Sequence, residues 1–312
     1  MGVRLKRFLG LAAFILLLAA PVLAVFAGSS LTDRILHPAR LPLTPGRMLS
    51  INEMLQRTGS SKQDFTVKAP DGVELHGRKV HPKISNGDWV ILFHGIADNR
   101  GGDSGHAEFL LRRGYSVVMM DSRAQGESGG DMETYGWKER YDTVAVTDAL
   151  FASEQVRHLY ALGVSLGAAI ALQSAAVERR IEAVAAEDPF ANLREVSYDY
   201  VGLHAGSWLG KSLFRPASIA AMRSVEKNGG FKPEDASPEK AVAERPFPVL
   251  LICGTRDANI PCRHAVRVYE AATGPKELWI VQGAGHASAL GHDPTEYENR
   301  VVSFFEKYPA KP

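Results

Sequence analysis

Ser165 lies between two glycines, at the point where an apolar stretch gives way to small helix-forming residues. The pentapeptide GVSLG at positions 163–167 fits the G-x-S-x-G pattern, in which a nucleophilic serine occupies a sharp turn between a strand and a helix. Gly163 and Gly167 suit that turn because the strand and the helix pass close together there. The pattern predicts that Ser165 is a nucleophile. It also predicts that the backbone N–H of Leu166 stabilises the oxyanion formed when Ser165 attacks a carbonyl.

A base and an acid are required beside such a serine, because a free hydroxyl is a poor nucleophile at neutral pH. His286 follows the last apolar strand-like run on a glycine-rich turn, and Asp257 follows the run before it. In that arrangement the imidazole takes the serine proton, and the carboxylate fixes the imidazole tautomer and stabilises its charged form. The sequence therefore predicts a triad of Ser165, Asp257 and His286, in the chain order serine, acid, histidine.

Other acidic and histidine side chains compete for these roles. Asp188 follows the strand-like run that ends near Ala186 and is kept as an alternative acid. His292, near the start of the last helix-like stretch, is interpreted as a surface or capping residue. His264 lies in a helix-like stretch, and its direction is left open. No cluster of cysteines and histidines has the spacing of a metal site, so we expect no metal.

A second oxyanion donor is expected in Phe93-His94-Gly95-Ile96, where the first parallel strand is predicted to end. The backbone N–H of Ile96 is the predicted donor. Gly95 is interpreted as allowing the backbone to approach the reacting atoms closely, and His94 as a hydrogen-bond partner that braces the loop.

Apolar runs of strand length alternate with helix-like stretches, which predicts a mostly parallel sheet with helices on both faces. A hairpin around Pro70-Asp71-Gly72 precedes them. Residues 190–244 interrupt the alternation with aromatic and apolar side chains and are predicted to form a small helical cap over a pocket. The predicted strands comprise residues 89–93, 115–120, 158–162, 181–186, 247–253 and 278–281, and the predicted helices residues 105–113, 137–153, 166–178, 262–272 and 294–307.

The N-terminus is basic and then strongly apolar: Arg4, Lys6 and Arg7 precede the uncharged stretch from Phe8 to Ala27. A stretch of this length can span a bilayer as a helix, so residues 1–27 are predicted to be a signal anchor, with a cleaved signal peptide as the alternative. The leading basic residues place the rest of the chain on the non-cytoplasmic side. There it is anchored to the membrane through residues 8–27 or, after cleavage, secreted or periplasmic.

Residues 28–49 contain three prolines and little periodicity, and are predicted to be a linker to a folded domain over residues 50–312. Cys253 and Cys262 flank Asp257, and the sequence leaves open whether they form a disulfide or remain buried thiols. The formal charge of +1, with no basic run beyond the N-terminus, argues against a nucleic-acid partner.

Several motifs over residues 63–308 together resemble the α/β-hydrolase superfamily, and most of all its prolyl-oligopeptidase-like group with a small cap and a single anchor. The resemblance implies the α/β-hydrolase fold and a serine hydrolase that needs no cofactor, with the triad named above. Ala124 departs from the family pattern, which often has glycine there, and this implies a stiffer loop. The motifs are Phe93-His94-Gly95, the stretch from Met120 to Ser128, the GVSLG pentapeptide, Gly254-Thr255-Arg256-Asp257 and Gly285-His286.

The preferred hypothesis is a carboxylesterase or lipase-like enzyme that cleaves small to medium acyl esters through an acyl-serine intermediate. A thioesterase or a serine peptidase on the same fold is the first alternative, because the fold hosts all of these activities. A catalytically silent, membrane-tethered binding protein is the alternative from another class. Neither the oligomeric state nor the physiological substrate is predicted.

Overall fold

Eight strands form a single sheet: β1 Ser61–Lys68, β2 Glu74–His81, β3 Trp89–Phe93, β4 Ser116–Met120, β5 Leu159–Val164, β6 Ile181–Glu187, β7 Val249–Gly254 and β8 Lys276–Val281. Their order across the sheet is β1-β2-β4-β3-β5-β6-β7-β8. β2 runs antiparallel to both β1 and β4, and the remaining neighbours are parallel. The computed structural model describes residues 26, 30–202, 207–212 and 214–309. The predicted hairpin and mostly parallel sheet are confirmed.

Helices lie on both faces of this sheet, as predicted. The five predicted helices are present with ends shifted by no more than two residues. Within the described part of the chain the helices are α1 Thr32–Leu36, α2 Pro45–Thr58, α3 Ser104–Arg112, α4 Glu139–Ser153, α5 Leu166–Val177, α6 Leu193–Val201, α7 Ser207–Lys211, α8 Arg215–Gly229, α9 Pro238–Glu244, α10 Arg263–Ala271, α11 Ala289–His292 and α12 Pro294–Lys307.

The middle strands are buried on both faces, which explains why they are continuous apolar runs in the sequence. Along β3, Trp89, Ile91 and Phe93 pack into one hydrophobic cluster, and Val90 and Leu92 pack into a second cluster on the opposite face. α5 is buried in the first cluster and α12 in the second. The alternation of side chains along each strand thus divides the core into two layers.

Residues 30–49, predicted to be part of a linker, carry α1 and the beginning of α2 instead. Pro45 occupies the first turn of α2, where a missing N–H costs nothing, and the Thr44 side chain accepts the Arg47 N–H at 3.3 Å. Ile51 and Met54 then bury one face of the helix. The folded region therefore begins before the predicted boundary at residue 50, because this proline starts a helix and does not interrupt one.

The described residues between β6 and β7 form four helices, α6 to α9, where the sequence predicted a helical cap over residues 190–244. The predicted membrane segment over residues 8–27 lies outside the described residues, except for Phe26. Among the helices that the structure does describe, none combines the length and the apolar character needed to cross a bilayer.

Candidate active site

Ser165 follows β5 directly and caps the N-terminus of α5, with φ 57° and ψ −118°. A positive φ is strained for a residue with a side chain, and such strain is concentrated at functional sites. A methyl group on Gly163 would overlap the backbone of Gly167, and one on Gly167 would overlap the carbonyl oxygen of Phe93. The strand and the helix thus pass as closely as the sequence pattern predicted, and both glycines are required by contact.

The carboxyl ends of four parallel strands bring the candidate residues to one edge of the sheet. Ser165 follows β5, Asp188 follows β6, Asp257 lies three residues after β7, and His286 lies five residues after β8. Hydrogen bonds between adjacent strand ends hold these loops together: the Ser165 N–H donates to the Glu187 carbonyl at 2.8 Å. Sequence positions more than 120 residues apart therefore meet at a single point.

Three of these side chains form a continuous hydrogen-bonded chain. Nε2 of His286 lies 2.9 Å from Oγ of Ser165, and Nδ1 of His286 lies 2.7 Å from Oδ2 of Asp257. The other oxygen of Asp257 accepts the backbone N–H groups of Asn259 at 2.8 Å and Ile260 at 2.9 Å. Because an ionised carboxylate only accepts, Nδ1 carries the proton toward Asp257 and leaves Nε2 free to accept the serine proton.

The pKa of His286 lies above its ordinary value of 6.5. Burial lowers this pKa, but the hydrogen bond to Asp257 and the negative charges of Asp257 and Asp188 outweigh it. The site therefore favours the imidazolium form, which is the form that arises when His286 takes a proton from Ser165.

Asp188, the alternative acid, lies near His286 but is not hydrogen-bonded to it. Its Oδ2 is 3.8 Å from Nδ1 of His286 and accepts the Ala287 N–H at 2.8 Å, while its Oδ1 accepts the Gly254 N–H at 3.2 Å. Burial, together with the charges of Asp257 and Glu187, raises the pKa of Asp188 to about 7. Asp257 is thus the acid in contact with the imidazole, and Asp188 ties the two loops that carry Asp257 and His286.

Asp188, Asp257 and His286 offer ligand atoms within 4.8 Å of one another, which is a spacing compatible with a metal ion. The oxygens of Asp188 already accept backbone N–H groups, and Asp257 and His286 are hydrogen-bonded to each other. An ion at this position would have to displace those hydrogen bonds, so the donor set fits a hydrogen-bonded triad better than a metal centre.

The loop after β3 closes the site beside Ser165. The His94 ring is buried; its Nε2 accepts the Ser122 N–H at 3.1 Å and its Nδ1 donates to the Gly95 carbonyl at 2.8 Å. These contacts match the predicted bracing role. A Cβ on Gly95 would lie 3.8 Å from Cβ of Ser165, an ordinary contact, so no protein atom requires glycine here, and the predicted approach of this backbone to the reacting atoms stays a prediction. Ile96 and Leu166, the predicted oxyanion donors, both line the cavity that contains Ser165.

A cavity of about 350 Å³ opens on Ser165. The cap helices α6 and α8 form part of its wall, and α1 forms another part that the sequence analysis missed because it assigned α1 to a linker. Apolar side chains dominate the surface, which suits the acyl chain of a small molecule. The lining residues are Leu31, Arg34, Ile35, Ile96, Tyr135, Ser165, Leu166, Phe190, Leu193, Val196, Ser197, Tyr200, Ala221, Met222 and Ile260.

The remaining histidine candidates lie away from the triad. His264 is buried on α10, and its Nε2 lies 2.9 Å from Oδ2 of Asp199 on cap helix α6. This contact holds the cap to the main domain. His292 is exposed at the end of α11, as predicted for a surface residue.

Cys253 and Cys262 form a disulfide with Cα atoms 5.3 Å apart, which answers the question that the sequence left open. The bridge joins the end of β7 to the residue before α10 and encloses Asp257 in a short loop. It therefore restrains the segment that positions the acid.

Two charged residues at the start of the loop after β4, Asp121 and Arg123, pair with residues outside that stretch and not with each other. Asp121 is bonded to Arg100, and Arg123 pairs with Asp142 and Asp71. Ala124 in the same loop has φ 58°, which explains why glycine suits this position in related sequences.

Comparison with known proteins gives a consistent result. A sequence profile described as the alpha/beta hydrolase family matches residues 90–300. The uncharacterized protein YqkD of Bacillus subtilis is 28% identical over 250 residues, covering 78% of this chain and 79% of that protein. The lysophosphatidylserine lipase ABHD12 of Gallus gallus is 36% identical over 112 residues, covering 34% of this chain and 29% of the lipase. The structure of the Pyrococcus furiosus esterase Pf2001 is similar, with a TM-score of 0.67, 25% identity and coverage of 82% of this chain and 94% of the esterase.

Proposed function

Because the chain belongs to the alpha/beta hydrolase family, we propose that it is a serine hydrolase that cleaves a carboxylic ester through an acyl-serine intermediate. The observation that carries this proposal is the hydrogen-bonded chain from Oγ of Ser165 through His286 to Asp257. It supports the proposal because acyl transfer by a serine requires a nucleophile, a base and an orienting acid in hydrogen-bond contact.

In the proposed reaction, Oγ of Ser165 attacks the ester carbonyl while Nε2 of His286 takes the hydroxyl proton. The backbone N–H groups of Ile96 and Leu166 donate hydrogen bonds to the carbonyl oxygen and stabilise the negative charge that develops on it. His286 then gives its proton to the departing alcohol, and the acyl group remains on Ser165. Water, activated by the same imidazole, hydrolyses this intermediate and regenerates the serine.

The cavity supports an acyl ester as the substrate. Its wall is mainly aliphatic and aromatic, and its volume of about 350 Å³ falls within the range of small-molecule sites. The similarity to a Pyrococcus furiosus esterase and, over part of the chain, to a lysophosphatidylserine lipase supports ester cleavage, with a lipid-derived ester as one class of substrate.

We also propose that the domain acts on the non-cytoplasmic side of a membrane, anchored through residues 8–27 or released by cleavage after them. The disulfide between Cys253 and Cys262 supports this location, because disulfides persist in oxidising compartments. Cell fractionation with protease protection tests the location. Finding the protein in the cytoplasm, without the disulfide and protected from external protease, would contradict the proposed location.

Hydrolysis of p-nitrophenyl esters from acetate to palmitate by the full-length protein tests the proposed activity. We expect a maximum at short to medium acyl chains, because longer chains exceed the apolar cavity, and we expect Ser165→Ala to abolish the activity. Matched p-nitroanilides and thioesters distinguish an esterase from a peptidase or a thioesterase. Ester hydrolysis that survives Ser165→Ala, or faster cleavage of the amide or the thioester, would contradict the proposal.

A further inference from the structure

Helix α1 is fixed in place as a wall of the cavity that contains Ser165. The Tyr135 hydroxyl donates to the Ile35 carbonyl at 2.8 Å, and the Glu133 N–H donates to the Leu36 carbonyl at 2.8 Å. Leu36 is only 2% exposed and packs into the core. The side chains of α1 that line the cavity therefore belong to the folded site.

Arg34 on α1 is the one charged residue among the described residues that line this cavity. Its side chain has no hydrogen-bond or ion-pair partner in the described part of the chain. The neighbouring Asp33 lies 3.8 Å from His37 and does not line the cavity. The cavity wall thus includes an exposed arginine, for which the described residues provide no counter-charge, next to apolar side chains.

A guanidinium in this position has a specific chemical preference. Arginine keeps its charge at all relevant pH values, and its planar N–H groups match the oxygens of a carboxylate or a phosphate. The apolar wall beside it, which includes Leu193, Val196 and Met222, suits a hydrocarbon chain. A molecule that satisfies both features has an aliphatic part and one anionic group.

We propose that Arg34 makes the cavity selective for esters that carry a carboxylate or phosphate group in addition to the ester that is cleaved. This proposal rests on the proposed function, because it assigns a substrate class to the same site. Arg34 binds the charged group and takes no part in bond cleavage. Its contribution therefore belongs in KM for the anionic substrate, and the ratio of anionic to neutral ester hydrolysis reports it.

Matched ester pairs test this selectivity in the full-length protein. On the acyl side, p-nitrophenyl octanoate is compared with the p-nitrophenyl monoester of octanedioic acid. On the alcohol side, monooctanoylglycerol is compared with its glycerol phosphate counterpart. The measured quantity is the ratio of kcat/KM for the anionic ester to that for the neutral ester. The pair in which the ratio depends on Arg34 identifies the side of the ester that carries the charge.

Arg34→Met removes the charge but retains an apolar stem, and Arg34→Lys restores the charge. We expect Arg34→Met to lower the ratio about threefold to fivefold in at least one pair, as for an exposed ion pair, and Arg34→Lys to recover part of it. Arg223→Met is the matched control, since Arg223 is exposed on cap helix α8 and does not line this cavity. It should leave both ratios unchanged.

Two results would overturn the proposal: ratios that do not change in Arg34→Met, or an equal fall in Arg223→Met.

If the wild-type protein hydrolyses none of the esters, the proposed function fails, and calorimetry with Ser165→Ala still tests Arg34. Binding of monomethyl octanedioate that exceeds binding of the dimethyl ester, and that Arg34→Met weakens, would support the anionic site. Equal binding of the two esters would refute it.

Discussion

Two buried carboxylates beside His286 take different parts in the site. Asp257 accepts the Nδ1 proton at 2.7 Å, whereas Asp188 stands 3.8 Å away and accepts backbone N–H groups of the two loops. The two carboxylates thus differ by only about an ångström in their distance from Nδ1 of His286. The sequence predicted Asp257 as the acid and kept Asp188 as an alternative, because both strand ends reach the same edge of the sheet.

Replacement of each acid by asparagine separates these roles. Asp257→Asn is expected to lower kcat about 10³-fold to 10⁴-fold, because the amide no longer fixes the reactive tautomer of His286. Asp188→Asn retains the triad and is expected to lower kcat by no more than about tenfold. It should also lower the free energy of unfolding by about 1–3 kcal/mol, because the new amide N–H₂ group faces a backbone N–H that it cannot accept. Steady-state kinetics and denaturant unfolding measure the two effects.

The pH profile gives an independent test of the same assignment. His286 must be neutral to act as a base, so kcat/KM falls as the pH drops through its pKa, which lies above 6.5. Asp188, with a pKa of about 7, is only partly ionised over this range, so Asp188→Asn removes a partial negative charge and the acid limb should move only slightly to lower pH. A loss of activity in Asp188→Asn as large as that in Asp257→Asn would instead make Asp188 the orienting acid.

The turn from β5 into α5 requires the strand and the helix to lie very close to each other. A methyl group on Gly167 would overlap the carbonyl oxygens of Phe93, at the end of β3, and of His94, in the loop after it. These are backbone atoms of a central strand and its loop, and they cannot move without displacing the site. The elbow is therefore a property of three segments together: the strand, the helix and the loop after β3.

Gly167→Ala tests this packing. We expect it to lower the free energy of unfolding by about 1–3 kcal/mol, as for an overpacked core, and to lower kcat at least about 10²-fold through displacement of Ser165. Gly291→Ala on α11 is the control, because a Cβ there meets no atom within 4 Å. Near-wild-type stability and activity in Gly167→Ala would show that the two glycines are not required by contact.

Elements with strong local patterns could be predicted from the sequence, and those defined by distant partners could not. The central parallel strands, such as β3 and β5, are buried on both faces and appear as apolar runs, and α12 begins at a proline preceded by a capping aspartate. α1 is only five residues long and is held by the loop after β4 and by cap helix α8, so no local periodicity marks it.

At the scale of the whole molecule, the sheet order and the crossovers bring four strand ends to one edge, and the cap and α1 enclose the space above it. The chain order of the triad residues and the alternation of strands and helices predicted this edge. The sequence analysis predicted a helical cap over a pocket but missed the wall formed by α1, because α1 lies far from α6 and α8 in the chain and meets them only after folding.

The central claim is that His286 activates Ser165 as a nucleophile, and reaction with a fluorophosphonate tests it most directly. The rate of adduct formation is measured by intact mass in the wild type, Ser165→Ala and His286→Ala, and the modified residue is located by peptide mass spectrometry. We predict a single adduct on Ser165, none in Ser165→Ala, and a rate about 10²-fold to 10⁴-fold lower in His286→Ala. An adduct on another residue, or an undiminished rate in His286→Ala, would contradict the claim.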